Sequence, residues 1–222
     1  MNNDLAEIVF ILDRSGSMQG LEDDTIGGFN GFVQKQAEIG PTLLTTVLFD
    51  DKYEILHNGV NATGVVLTSG EYFTRGTTAL LDAIGKTIND VGIRLNDTPE
   101  EQRPGKVIFV ITTDGQENAS REFSYAQIKQ MITHQGEKYN WEFIFLGANI
   151  DVAEEGGRLG IIEKNLYSFD ASHDGVKHMF ADTAMMACCE MRMPNQPKKP
   201  DRPESSTTKP KSWKDKIKSL FS

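Results

Sequence analysis

Five consecutive apolar residues, Ile8-Val9-Phe10-Ile11-Leu12, run directly into the polar stretch Asp13-Arg14-Ser15-Gly16-Ser17. A short apolar run closed by a turn signal predicts a strand buried on both faces, the kind that a parallel sheet covered by helices requires. The pattern recurs downstream, where Val107-Ile108-Phe109-Val110-Ile111 leads through Thr112 and Thr113 into Asp114-Gly115. Between and after these runs the periodicity alternates. Residues 21–39 carry Ile26, Phe29, Phe32, Val33 and Ala37 near one helical face, with Glu22, Asp23 and Asp24 at the amino end, where the helix dipole favours them. Residues 43–49 and 53–60 read as two strands joined by a tight Asp50-Asp51-Lys52 turn, an antiparallel hairpin. A helix is expected from Thr77 to about Leu95, another over 124–137, and a buried strand over 141–146. A short helix from Asp151 should end at the glycines near 156, 157 and 160; a short strand over 166–169 and a final helix over 174–192 follow, the helix with Val176, Phe180, Thr183, Ala184 and Ala187 on one face. Strands alternating with helices predict a doubly wound α/β fold, its sheet mostly parallel with one antiparallel strand.

After Met193 the pattern stops. Residues 194–210 contain five prolines among polar residues and read as a linker. Residues 211–222 place Trp213, Ile217, Leu220 and Phe221 at helical spacing among lysines, with Ser212 and Asp215 able to form a capping box. The expected organisation is one α/β domain over 1–193, the linker, and a basic amphipathic tail helix.

Charge sharpens this division. The net charge is −9, but the segment from Asn195 onward holds eight Lys/Arg and three Asp/Glu, which leaves the body strongly acidic. An acidic body argues against nucleic acid as a partner, while the tail suits a second protein or a membrane surface. The only cysteines, Cys188 and Cys189, are adjacent, which excludes a disulfide framework. Without a leader pattern at the amino terminus or a run of the ~20 apolar residues that a membrane span needs, the expected setting is cytoplasmic.

The chemistry lies where the two buried strands end. Open α/β sheets bind ligands at the carboxyl ends of their strands. Asp13, Ser15 and Ser17 sit at alternate positions around Gly16, so their oxygens can converge on one point. Hard oxygen donors of this kind suit magnesium, with manganese or calcium as alternatives. Asp114, ending an equivalent strand, should lie beside Asp13 and supply a second carboxylate. The loop Arg75-Gly76-Thr77-Thr78 can add a hydroxyl from across the crevice. Taken singly, Asp13 and Ser15 could be helix caps, and Asp114 a turn residue. Their joint arrival at one edge favours a metal.

Asp13-x-Ser15-x-Ser17, Gly76-Thr77 ahead of a helix, and strand-terminal Thr113-Asp114-Gly115 resemble, in order and spacing, the three-part metal-ion-dependent adhesion site of von Willebrand factor type A domains. The resemblance covers roughly residues 4–190. It implies a six-stranded, mostly parallel sheet with the site on its upper edge. It also implies direct coordination by Ser15, Ser17 and Thr77, with Asp13 and Asp114 acting mainly through water, and a free position taken by an Asp or Glu of a partner protein. Thr77 is preferred to Thr78 because it directly follows the glycine. Arg75 stands where the family often has glycine or another small residue, and is expected to shape the partner's approach. Glu117 and Asn118 are expected to support the loop rather than bind metal.

The expected function is therefore a non-enzymatic, metal-dependent adaptor. One rival is a magnesium-dependent hydrolase or phosphoryl-transfer enzyme with Asp13 as nucleophile, although Ser15 stands where haloacid dehalogenase-type phosphatases carry a second aspartate. No Walker lysine motif or nucleophile elbow is present. A second rival is a membrane-surface scaffold held by the tail. His173 and His178 are five apart, off a shared helical face, which disfavours zinc.

Overall fold

The computed structural model describes residues 1–192. The linker expected over 194–210 and the tail expected over 211–222, with Trp213, Ile217, Leu220 and Phe221, lie outside the described residues. Six strands form one sheet: β1 (Asn2–Asp13), β2 (Thr42–Phe49), β3 (Tyr53–Asn61), β4 (Pro104–Thr113), β5 (Glu142–Gly147) and β6 (Leu166–Ser168). Their order is β3-β2-β1-β4-β5-β6, and only the β2–β3 pair is antiparallel. The expected architecture is thus observed, with β3 as its antiparallel edge. The chain leaves β1 toward β2 on one side, while β4 lies on the other. This reversal opens a crevice above the carboxyl ends of β1 and β4, the switch point where such sheets place ligands.

Helices cover both faces because successive strand side chains point to opposite sides. Ile8, Phe10 and Leu12 of β1 join Ile108, Val110, Ile144 and Leu146 in one core layer, under α1 (Glu22–Ile39) and the C-terminal helix. Val9 and Ile11 join Phe109, Ile111, Phe143 and Phe145 in the other, under α2 (Leu80–Asp97), α3 (Tyr125–Tyr139) and α4 (Val152–Leu159). In the first layer the Phe10 ring meets Phe29 and Phe32 edge-on, each at 5.0 Å. In the second, Phe109 stacks on Trp141 at 5.3 Å and on Phe143 at 4.8 Å.

Several boundaries differ from expectation for identifiable reasons. α2 begins at Leu80 rather than Thr77, because the backbone at Thr78 is committed to another loop, as described below. Gly156 and Gly157 do not end α4; Gly156 lies against Leu166, where a Cβ would come within 2.3 Å of its side chain, and the helix stops only at Gly160, whose φ is +83°. The C-terminal helix is not uniform: α5 (His173–His178) passes through a π-helical stretch (Met179–Ala184) into α6 (Met185–Arg192). Cys188 is fully buried in the first core layer, and Cys188 and Cys189 are both free thiols. No helix among the described residues is long and apolar enough to cross a membrane.

Phe10 is the aromatic hub of the first layer, in ring contact with α1 on one side and, through Phe180 at 6.2 Å, with the C-terminal helix on the other. Truncating it to alanine is expected to lower the unfolding free energy by about 3–5 kcal/mol, as for other buried aromatics. Urea denaturation measures this, and a loss below about 1 kcal/mol would contradict the assigned packing.

Candidate metal centre

β1 and β4 run in parallel with Leu12 opposite Thr112, so Asp13 and Thr113 end the strands side by side. The Thr113 hydroxyl donates to Asp13 Oδ2 (2.6 Å), and the Ser15 backbone N–H donates to Asp13 Oδ1 (2.7 Å). Both carboxylate oxygens are thereby occupied, and Asp13 is 1% exposed. The Tyr72 hydroxyl holds the Asp13 carbonyl from below (2.7 Å). Past Asp13 the chain turns through a short 3-10 segment, Gly16–Met18, which brings Ser15 Oγ and Ser17 Oγ to 3.1 Å from each other. The Ser17 hydroxyl donates in turn to Asp114 Oδ1 (2.5 Å). Four of the five residues expected at the site are therefore one connected cluster.

The fifth is displaced by one position. Thr77 is exposed and faces a neighbouring cleft of about 740 Å³, together with Asp51, Lys52 and Lys86. Thr78 is the buried threonine of the pair, at 3%. A Cβ placed on Gly115 would lie 3.1 Å from Thr78 Oγ1 and 3.3 Å from Ser17 Oγ, so both hydroxyls close on the small space that this glycine leaves. Thr78, not the expected Thr77, is thus the threonine that the structure places beside Ser17. The reason is the loop from β4: the Thr78 N–H donates to Asn118 Oδ1 (3.0 Å), and its carbonyl accepts from the N–H groups of Asn118 (3.0 Å) and Ala119 (3.2 Å). These bonds fix Thr78 against the β4 loop and turn Thr77 outward.

The supporting residues were only partly foreseen. Glu117 accepts from the N–H groups of Leu81, Ala119 and Ser120 and from the Ser120 hydroxyl, so it closes the amino end of α2 with a carboxylate from another loop. Asp82 accepts three backbone N–H bonds, from Arg121, Glu122 and Phe123. On the opposite flank, Arg14 is fully buried. Its Nε donates to Asp50 Oδ2 (2.8 Å) and its Nη2 to Glu54 (2.8 Å). Arg75 Nε donates to the same Asp50 oxygen (2.7 Å). The register could have suggested this pair: Asp13 lies opposite Phe49, so Arg14 and Asp50 follow at adjacent strand ends. Backbone bonds from Arg75 N–H to the Arg14 carbonyl (2.8 Å) and from Gly16 N–H to the Gly76 carbonyl (3.3 Å) tie the two loops together. Gly76 has φ +69°, a left-handed backbone that favours glycine, and the Asp51 carboxylate occupies the space a Cβ would take.

The electrostatics favour a cation. Burial is the main cause that pushes Asp13 up to about 6, and nearby Asp114 adds to it. Burial also raises Asp114, against its bond from Ser17. Asp114 Oδ2 is buried without a hydrogen-bond partner. Two desolvated carboxylates, one with an orphaned oxygen, beside three converging hydroxyls form a donor set that a hard dication would satisfy. Asp50 shows the opposite balance: burial opposes its ionisation, but bonds from Arg75, the Lys52 N–H and Arg14 outweigh it and hold its carboxyl below the usual range. Among the described residues no three His, Cys, Asp or Glu side chains gather as a metal site, so the candidate depends on hydroxyls.

A six-stranded α/β sheet with a hydroxyl-and-carboxylate cluster at its switch point defines a class, the doubly wound domains with an oxygen-lined edge site. Within that class the fold is that of von Willebrand factor type A domains. It is shared with the vWF domain of a type V pili tip protein from Porphyromonas gingivalis (9% identity, TM-score 0.61, covering 86% of this chain and 97% of that one). It is shared also with proximal thread matrix protein 1 from the mussel byssus in a form with a zinc-occupied MIDAS motif (17%, 0.54, 84% and 47%), and with manganese-loaded Plasmodium vivax TRAP (14%, 0.52, 80% and 73%). This chain spans about half the length of the mussel protein. By sequence, neither a family model nor a curated protein matches it.

The burial of Asp13 has a consequence for the metal-free protein. Its carboxyl binds a proton more tightly in the fold (about 6) than in the unfolded chain (3.8). Its contribution to stability is therefore complete below about pH 4 and lost as the pH rises to about 6. In EDTA, the melting temperature of wild type should fall relative to Asp13→Asn across that interval and run parallel to it above. A difference that stays constant from pH 4 to 7 would contradict the assigned environment.

Proposed function

We propose that this chain is a non-enzymatic binding module that captures a carboxylate of a partner protein through a divalent cation. The observation that carries the reading is the chain of contacts from Ser15 through Ser17 to the buried, partly orphaned carboxylate of Asp114, with the Thr78 hydroxyl beside Ser17 at Gly115. Ser15, Ser17 and Thr78 would hold the ion, with Asp13 and Asp114 behind them. The full engagement of both Asp13 oxygens suits an indirect role for that residue. Bound there, the ion would supply a Lewis-acidic position able to accept one more oxygen ligand. Magnesium fits a site of few anions and several neutral oxygens, with manganese or calcium as alternatives. Zinc and manganese in two proteins of the same fold support a divalent ion in general.

The same geometry disfavours the hydrolase reading. A nucleophilic aspartate needs a free, accessible oxygen, and Asp13 is enclosed with each oxygen accepting a hydrogen bond. The rim points instead to a macromolecular ligand, because the cleft beside Gly76 and Thr77 is open and broad enough for a chain segment. The basic, amphipathic pattern of residues 211–222 supports a second contact, with another protein or a membrane surface, and so an adaptor role.

Calorimetric titration with magnesium separates the two threonines. Thr78→Val should weaken binding roughly tenfold or more, a loss of the size seen when metal sites lose a supporting group, whereas Thr77→Val should leave it unchanged. The reverse result would move the site back to Thr77. Capture of a partner from native lysate should disappear in EDTA and with Asp114→Ala; capture that persists in both would defeat the metal reading.

A further inference from the structure

Arg75 is held in a way that leaves its donors free. Its Nε is bound to Asp50, and its guanidinium lies 5.0 Å over the Phe73 ring. The side chain is nevertheless 36% exposed, and among the described residues Nη1 and Nη2 donate to nothing. The acidic groups around it do not take those donors. Asp50 is shared with Arg14, and Glu54 is bound by Arg14 Nη2. Asp51 and Glu54 act on Arg75 only through their fields. Its backbone is also fixed to the site, through the bond from its N–H to the carbonyl of Arg14, the residue between Asp13 and Ser15. A guanidinium fixed by one edge and one face has little rotamer freedom left to lose, so its remaining fork is preorganised for a planar anion.

We infer that the site reads two acidic groups rather than one: the first meets the metal, and the second is gripped by the free Nη1 and Nη2 of Arg75. This rests on the metal reading above and narrows it to a class of partner, a segment carrying a pair of carboxylates. Arg75 is then the specificity-determining residue of the rim. The buried Arg14–Asp50 pair is its mount, and the Phe73 ring is the surface it lies on.

The test uses the full chain and end-capped glycine peptides, one series with a single aspartate and another with a second aspartate one, two or three positions further on. Binding is followed by NMR titration in magnesium and in EDTA. At least one two-acid peptide should bind about tenfold more tightly than the one-acid peptide, the scale of one charge-assisted fork. Arg75→Gln should reduce that peptide to the one-acid level and leave one-acid binding within about twofold, which also shows that the loop is intact. Equal binding of both series, or a preference that Arg75→Gln does not change, would overturn the inference and leave the metal site standing. One-acid binding that is indifferent to EDTA would overturn the metal reading and the inference with it.

Discussion

Two aspartates ending neighbouring parallel strands, both withdrawn from water, set the terms for everything around them. Desolvation and mutual repulsion act against the ionised pair. The protein offsets this only in part, with a hydroxyl and a backbone N–H on Asp13 and one hydroxyl on Asp114. One oxygen of Asp114 is left without a partner. Asp82, at the head of α2, is by contrast held by three backbone donors.

A second buried charge cluster lies at the end of the next strand, and it is balanced where the first is not. Arg14 and Arg75 share Asp50, and Glu54 accepts from Nη2 of Arg14, whose Nη1 alone is left without a partner. Buried ion pairs of this kind contribute little net stability against an apolar packing of the same shape, because desolvation cancels most of the attraction. Their effect here is directional. Since Arg14 lies between Asp13 and Ser15, anchoring it under the hairpin forces those two residues to face the crevice. Side-chain alternation along the strand end converts one buried guanidinium into the aim of two oxygen donors.

Much of this was legible in the chain. The runs ending at Leu12 and Ile111 are apolar on both alternating faces, and that pattern has few solutions other than central parallel strands. Asp13 and Asp114 follow from it, because a polar residue directly after such a run must emerge at the sheet edge. Ser15 and Ser17 follow from the spacing. The inward position of Thr78 did not, because which of the two threonines is buried depends on Asn118, forty residues away, bonding to its backbone. No local pattern encodes such a contact. The end of α4 was misplaced for a similar reason: Gly156 reads as a helix breaker until Leu166 of β6 is seen to occupy the space its side chain would need. Periodicity reports which face is buried, and it is silent on which loop meets which.

On the proposed reading, the arrangement suits the edge to recognition better than to turnover. Catalysis at this position would need a residue able to attack or to shuttle a proton, and Asp13, Glu117 and Asn118 are otherwise engaged. Asp13 has both oxygens bonded, Glu117 accepts four bonds at the head of α2, and Asn118 is spent on Thr78. What remains open is a cluster reached at Ser17, with a buried carboxylate oxygen that lacks a partner, and, on the rim, a guanidinium with two free donors. Each is tied into a network of hydrogen bonds and ion pairs. On the proposed reading such a surface would bind without rearranging, and its ligands would be carboxylates.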